Sequence, residues 1–169
     1  MSDTIIRALE PSEWETFRDF RLSALKDTPG VFSMTYDAAA IWSPQDWQAE
    51  IKGEDHQVFG LFNEERLIGI TAAFTYRGDP SGQTALLAMS YIVPHRRGHG
   101  LSRLFYDARL AWIREQPQFR RVLVSHRESN EASQRANQRH GFVRTRAAPQ
   151  TWPDGATENE IFYELVVSR

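Results

Sequence analysis

Ile92–Tyr106, IVPHRRGHGLSRLFY, is the stretch around which the rest of the chain reads. An apolar run, Ala85 to Val93, leads into it, and a short basic turn with two glycines, His95 to Gly100, follows. A helix then departs with Leu101, Leu104, Phe105, Ala108 and Ala111 at helical spacing. Strand, glycine turn and helix N-terminus, in that order, make an anion site. The first-turn N–H groups lack partners inside the helix, the peptide dipoles place about half a positive charge there, and glycine lets a ligand approach the backbone. Arg96 and Arg97 add two full charges. The turn reads as a phosphate holder, but of neither common nucleotide type. Arg103 stands where the third glycine of GxGxxG belongs, and GxxxxGK[ST] is absent.

Composition bounds the partners. The 169 residues are 41% hydrophobic and 25% charged, which predicts one ordinary globular domain spanning 1–169. The net charge of −2 favours neither nucleic acid nor an acidic membrane surface; positive charge is local, at Arg96, Arg97, Arg103, Arg120 and Arg121. The chain contains no cysteine, which removes disulfides, a thiolate nucleophile and cysteine-ligated metals. The five histidines show no metal-binding spacing such as HExxH, so no metal is expected. No apolar run nears the ~18 residues that span a bilayer, and MSDTIIRALE lacks the basic and apolar parts of a signal peptide. A cytoplasmic protein is the expectation.

The remaining elements follow from periodicity and punctuation. Ile5 to Leu9 predicts a strand, and Pro11 opens a helix to about Lys26 with Trp14 and Phe17 on one face and Arg21 interrupting it. Tyr36 to Ile41 is helical; Ser43-Pro44 is an N-cap and first-turn proline for a helix reaching Ile51. Strands are predicted at Val58 to Phe62, Leu67 to Tyr76 and Ala85 to Val93, then a helix from Gly100 to about Gln116, stopped by Pro117. Val122 to Ser125 is a short buried strand, and Asn130 to His140 a helix ending at Gly141. Phe142 to Thr145 and Ile161 to Val167 read as a closing pair around a loop holding Trp152, Pro153, Asp154 and Gly155. Strand meanders with crossover helices argue for a mixed α/β sheet with helices on both faces.

Two motifs together resemble the GNAT family of N-acetyltransferases. Its acetyl-CoA loop, Q/R-x-x-G-x-G/A, is matched by Arg97, Gly98, His99, Gly100, Leu101 and Ser102, with Pro94 upstream and serine at the last small position. About thirty residues later, Asn130, Ser133, Gly141 and Phe142 fall at or near the positions of the family's N-x-x-A-x-x-x-Y-x-x-x-G-F helix. The resemblance implies an acyl-CoA N-acyltransferase fold: a mixed, mostly antiparallel sheet of six to seven strands flanked by about four helices. It also implies acetyl-CoA as co-substrate, an amine acceptor and the possibility of a homodimer.

Acyl transfer from a thioester needs an anchored donor, a neutral amine, a home for the oxyanion and a fate for the leaving thiolate. By the resemblance, the Arg97–Ser102 turn holds the pyrophosphate, and backbone from Tyr91 to Val93 pairs with the pantetheine arm. The Ile92 N–H faces the thioester oxygen, and Asn130 and Ser133 approach from the other side. The family's acid is often a tyrosine on the last helix; Asn137 occupies that place and is expected to hold CoA by hydrogen bonds. No Glu or Asp lies between Thr84 and Val93, where the family often keeps a base. His126, Glu128 and a water held by Ser90 or Tyr91 are the candidates, and an imidazole has the suitable ordinary pKa. Arg21, Tyr36, Trp42, Tyr91 and Trp152 are candidate acceptor-pocket residues. The missing tyrosine and carboxylate leave a second reading, a non-catalytic CoA-binding sensor.

Overall fold

A computed structural model describes residues 3–169; Met1 and Ser2 of the 1–169 span lie outside the described residues. The strands are β1 (Thr4–Ala8), β2 (Lys52–Gly53), β3 (His56–Asn63), β4 (Arg66–Thr75), β5 (Thr84–Ile92), β6 (Arg121–Arg127), β7 (Val143–Thr151) and β8 (Thr157–Val166). The helices are α1 (Trp14–Asp27), α2 (Tyr36–Ala40), α3 (Pro44–Ile51), α4 (Ser102–Glu115) and α5 (Glu131–Arg139). One sheet runs β1-β3-β4-β5-β6-β8-β7, with β2 paired to β3. Every pairing is antiparallel except β5 with β6.

Local chemistry explains the element ends. Ser43 Oγ accepts from Asp46 N–H while Asp46 accepts from Ser43 N–H, a reciprocal box that starts α3 with Pro44 at its first position. Pro11 sits in a 3-10 turn that leads into α1. Helices α1 to α3 cover one face, burying Phe17, Trp47 and Ile51 with Val58, Ile70 and Ala72 of the sheet. Helix α4 covers the other, packing Phe105 on Leu61 and Ile68, and Tyr106, Leu110 and Ile113 with Leu87, Val122 and Val124.

The buried stripe of α4 is rotated from the expected one. Phe105, Tyr106, Arg109, Leu110 and Ile113 are buried, whereas Ala111 is exposed. Arg109 concealed this stripe, because a charge inside an apolar face breaks the pattern that periodicity detects. The closing hairpin also differs. Residues 146–151 and 157–160, expected as loop, are strand. β7 is an edge strand exposed along most of its length, so it carries no apolar alternation, and Pro149 is tolerated there.

The feature that positions the site is a bulge in β5. Met89 has φ +66°, and Met89 and Ser90 together oppose Thr71, adding one residue to β5 between the Ile70↔Tyr91 and Ala72↔Ala88 pairs. The extra residue reverses the side-chain parity. Ala85 and Leu87 face the α4 side, whereas Met89 and Tyr91 join the core beneath α1. Pairing of β5 with β6 stops at Leu86↔Leu123, although β5 continues to Ile92 and β6 to Arg127. The two strands diverge beyond that point and leave their facing edges open.

Candidate active site

The open edges bound a cavity of about 300 Å³ between β5 and β6, with Tyr106 and Arg109 of α4 and Asn137 of α5 on one side and Phe32 and Trp152 among its other walls. A second cavity of about 570 Å³ carries on to Ile92 and Arg97. Val31, Phe32, Ser90, Arg127 and Asn130 line both, so the two form one channel.

At the Arg97 end lies the glycine turn. Gly98 and Gly100 have φ +78° and +72°, and a Cβ at either would meet no atom within 4 Å. Glycine is therefore demanded by the left-handed backbone, and the space beside it is open. The first turn of α4 has no side-chain cap and no acidic residue; Arg103 and Leu104 N–H donate to the Gly100 and Leu101 carbonyls at 3.3 and 3.0 Å, so the attraction for an anion rests on the helix dipole and on the turn ahead of them. Arg97 folds back along the strand: Nε donates to the Ile92 carbonyl at 2.8 Å, and the guanidinium lies 5.1 Å from the Tyr91 ring centre. His99, Leu101 and Ser102 belong to the turn and the start of α4. Val93 N–H donates to Ile68 O at 3.0 Å, towards β4. By strand alternation the Ile92 N–H and C=O face the open side, where the C=O already accepts from Arg97, whereas the Val93 N–H is spent.

At the other end sit the groups able to move protons. His126 is buried, its Nδ1 is 2.7 Å from the Arg127 carbonyl and its Nε2 is 3.4 Å from the Tyr163 hydroxyl. A carbonyl only accepts, so Nδ1 carries the hydrogen and the neutral ring has its lone pair on Nε2. Glu160, from β8, lines the same cavity and accepts from the Ser125 hydroxyl. Glu128 is exposed and does not line the channel.

Facing them, Arg109 is 2% exposed with no carboxylate partner. Its Nε donates to Phe105 O at 3.1 Å and its Nη1 to Ser90 Oγ at 3.0 Å, and Ser90 Oγ is 2.8 Å from Thr71 Oγ1. Burial pushes its pKa down to about 10, so it remains a cation at neutral pH. Tyr106 donates to Asn137 Oδ1 at 2.6 Å and stacks on His140 at 3.9 Å, and burial raises its phenol. Asn130 caps α5 by accepting from Ser133 N–H at 3.1 Å, which leaves its amide NH2 for a ligand.

The outer wall is tied by one arginine. Arg127 reaches Asp154 at 2.6 Å and Glu158 at 2.7 Å, donates to Gly30 O at 3.2 Å, and lies over the Trp152 ring at 5.5 Å. Its charge-assisted bond holds Asp154 below the usual carboxylate range; Glu158 is lowered first by Ser129 and then by Arg127. Folded-state values below the unfolded ones mean that this stabilisation is present above the unfolded carboxylate pKa of about 4 and is lost as pH falls through the folded values. The indole N–H resonance of Trp152 should therefore hold its position down to about pH 5 and shift below about pH 4. In Arg127→Met it should start displaced, with the acid transition gone.

Not every candidate residue reaches the channel. Tyr91 lines it, with its hydroxyl donating to Asp27 at 2.8 Å. Arg21 lies behind Phe32, 4.6 Å from that ring's centre, with Nη1 buried and unpartnered. Trp42 packs on Trp47, 4.9 Å between ring centres, within the core under α1. Tyr36 borders a separate depression beside Pro153. The sequence reading did not single out Tyr106, Arg109 or Glu160. The charge of Arg109 inside an apolar stripe was the one available signal.

A strand-splayed channel running from an uncapped glycine turn to a buried histidine is the layout of an acyl-CoA-dependent transferase. The acetyltransferase (GNAT) domain model matches residues 3–143, and the chain belongs to that family of N-acetyltransferases. No curated protein matches the sequence significantly. Among solved structures, a GNAT-family acetyltransferase from Streptococcus pneumoniae superposes with TM-score 0.84 at 16% identity, covering 98% of this chain and 100% of that one. A putative acetyltransferase from Salmonella typhimurium with its cofactor acetyl-CoA gives 0.76 at 18% identity, covering 99% and 96%. A ribosomal-protein-S5-alanine acetyltransferase from Vibrio fischeri gives 0.80 at 15% identity, covering 99% and 95%. Among the described residues, no helix is long and apolar enough to cross a membrane.

Proposed function

We propose that residues 1–169 act as one catalytic domain that carries the acetyl group of acetyl-CoA to a primary amine by direct attack. The observation that supports this reading is a channel open between β5 and β6, with an uncapped glycine turn at one end and His126 at the other. The pyrophosphate rests on the turn from Gly98 to Ser102. The pantetheine arm lies along β5, pairing with the cleft-facing N–H of Ile92 and with the free amide of Asn130. The thioester carbonyl is received by backbone N–H at the bulged end of β5, from Ser90 to Ile92. His126 Nε2 takes the amine proton, and Glu160 draws the acceptor in as an ammonium ion. Trp152 and Phe32 wall the acceptor side. Acceptors of this kind include small amines, amino acids and peptide N-termini or lysines. Acetyl-CoA is an intracellular metabolite, which sets the reaction in the cytoplasm.

Calorimetry with acetyl-CoA, followed by a thiol-release screen over primary amines, tests the proposal. Micromolar binding with release for one amine class supports it. Binding with no release from any amine would favour the CoA sensor, and absence of binding would remove both.

A further inference from the structure

One polar atom beside the channel lacks a partner. Asn137 is 1% exposed and lines the cavity, and its Nδ2 is buried without a hydrogen-bond partner among the described residues. Leaving an amide donor dry and unpaired is costly, so such atoms mark places where something else binds. The orientation of this amide is fixed from behind. The Tyr106 hydroxyl, donating to Oδ1 at 2.6 Å, turns the NH2 away from itself. Tyr106 is in turn held by its stack on His140, whose Nδ1 is 2.8 Å from the Ala136 carbonyl.

Resting on the acetyl transfer proposed above, we infer that Asn137 receives the departing CoA thiolate on its Nδ2–H, and that Tyr106 is the positioning residue that aims this donor. The amine nitrogen forms a bond to the acetyl carbon, the carbon–sulfur bond breaks and its electron pair stays on sulfur. The proton lost by the amine goes to His126 Nε2. The thiolate is stabilised by the Nδ2–H and by the field of Arg109, then takes a proton from the imidazolium or from solvent, and charge balances. Tyr106 does not supply that proton, because its hydrogen is committed to Asn137 Oδ1. The leaving group is thus stabilised as an anion by hydrogen bonding and charge, with no acid aimed at it. The titratable and charged groups lining this cavity or stacked behind it are Tyr76 after β4, Tyr106 and Arg109 of α4, His126 and Arg127 of β6, Glu160 of β8 and His140 after α5.

The chain has no cysteine, so the only thiol in a complex with free CoA is the ligand's own. Ultraviolet absorbance of the thiolate can be titrated in the wild type, in Asn137→Leu and in Tyr106→Phe, both close in shape to the native side chains. In the wild type the bound thiol should ionise about one unit or more below its ordinary value near 8.5. Asn137→Leu should return most of that shift, and Tyr106→Phe part of it, because the freed amide can turn. In turnover, Tyr106→Phe should lower kcat about tenfold with the KM for acetyl-CoA nearly unchanged. Equal thiol pKa values in the wild type and a folded, CoA-binding Asn137→Leu would overturn this assignment alone. Failure of the wild type to bind CoA would overturn it together with the proposed function.

Discussion

Gly100→Val is expected to abolish measurable acetyl-CoA binding and leave the fold standing. Gly100 has φ +72°, and nothing lies within 4 Å of a Cβ placed there. The substitution meets no clash inside the protein. Its cost is conformational: an L residue in the left-handed region is disfavoured by roughly 1–2 kcal/mol, more for a β-branched one. The turn relieves that strain by rotating its peptide units, and the N–H groups that converge on an anion then diverge. The new side chain also occupies the open space that a phosphate would take. Both effects fall on the ligand, so the dissociation constant should rise at least about a hundredfold, a loss of roughly 2.7 kcal/mol. Gly82→Val is the matched control. Gly82 also has positive φ, at +69°, and equally open surroundings, but lies in the loop before β5. It should lose similar stability and no affinity. Calorimetry on the two variants separates turn strain from ligand recognition, and tight binding by Gly100→Val would refute the phosphate assignment.

The contrast between this turn and the rest of the site explains what the sequence can disclose. The turn is contiguous. Gly98, Gly100 and the start of α4 encode both their conformation and the anion affinity proposed for them in the same few residues, so local chemistry suffices to read them. Asn130 is similar, because its capping role and its place at the channel are set by one helix start. The His126 end of the cavity is built otherwise. Ser125 and Glu160 meet across a β6–β8 pairing 35 positions apart in sequence, and Tyr106 meets Asn137 across 31. Those meetings depend on strand order, which periodicity does not determine. The bulge is harder still. Positive φ is usually signalled by glycine or asparagine, yet here it falls on Met89, where the packing of β5 imposes a conformation that its side chain does not favour. That one residue decides where β5 leaves β6 and therefore where the channel opens. Arg109 is invisible for a related reason. As a cation among apolar neighbours it looks like a break in the helix face, whereas the fold gives it the hydroxyl of Ser90 and a position facing the cavity.

Replacing His126 with glutamine should lower kcat by about 10² to 10³, within the range that a positioned general base supplies. The KM for acetyl-CoA should change little, because His126 lies away from the turn that would hold the phosphates. Glutamine is polar and similar in reach, so the contact with the Arg127 carbonyl can persist. What is lost is a group that can accept a proton from the amine. If His126 is the base, an acid limb in the pH profile of the wild type should be missing from His126→Gln. The residual reaction should rise with pH as more of the amine is already neutral in solution, an alkyl ammonium ion losing its proton only near pH ~10. Glu160→Gln offers the discriminating comparison. If the carboxylate attracts the ammonium form, its removal raises the KM for the amine and leaves the acid limb in place. If the carboxylate is itself the base, the two variants exchange behaviour. His140→Gln, stacked on Tyr106 but with Nδ1 facing Ala136 O, should retain the acid limb whatever its effect on kcat. A wild-type pH profile in His126→Gln would remove His126 from the chemistry and turn attention to Glu160, which lines the same cavity.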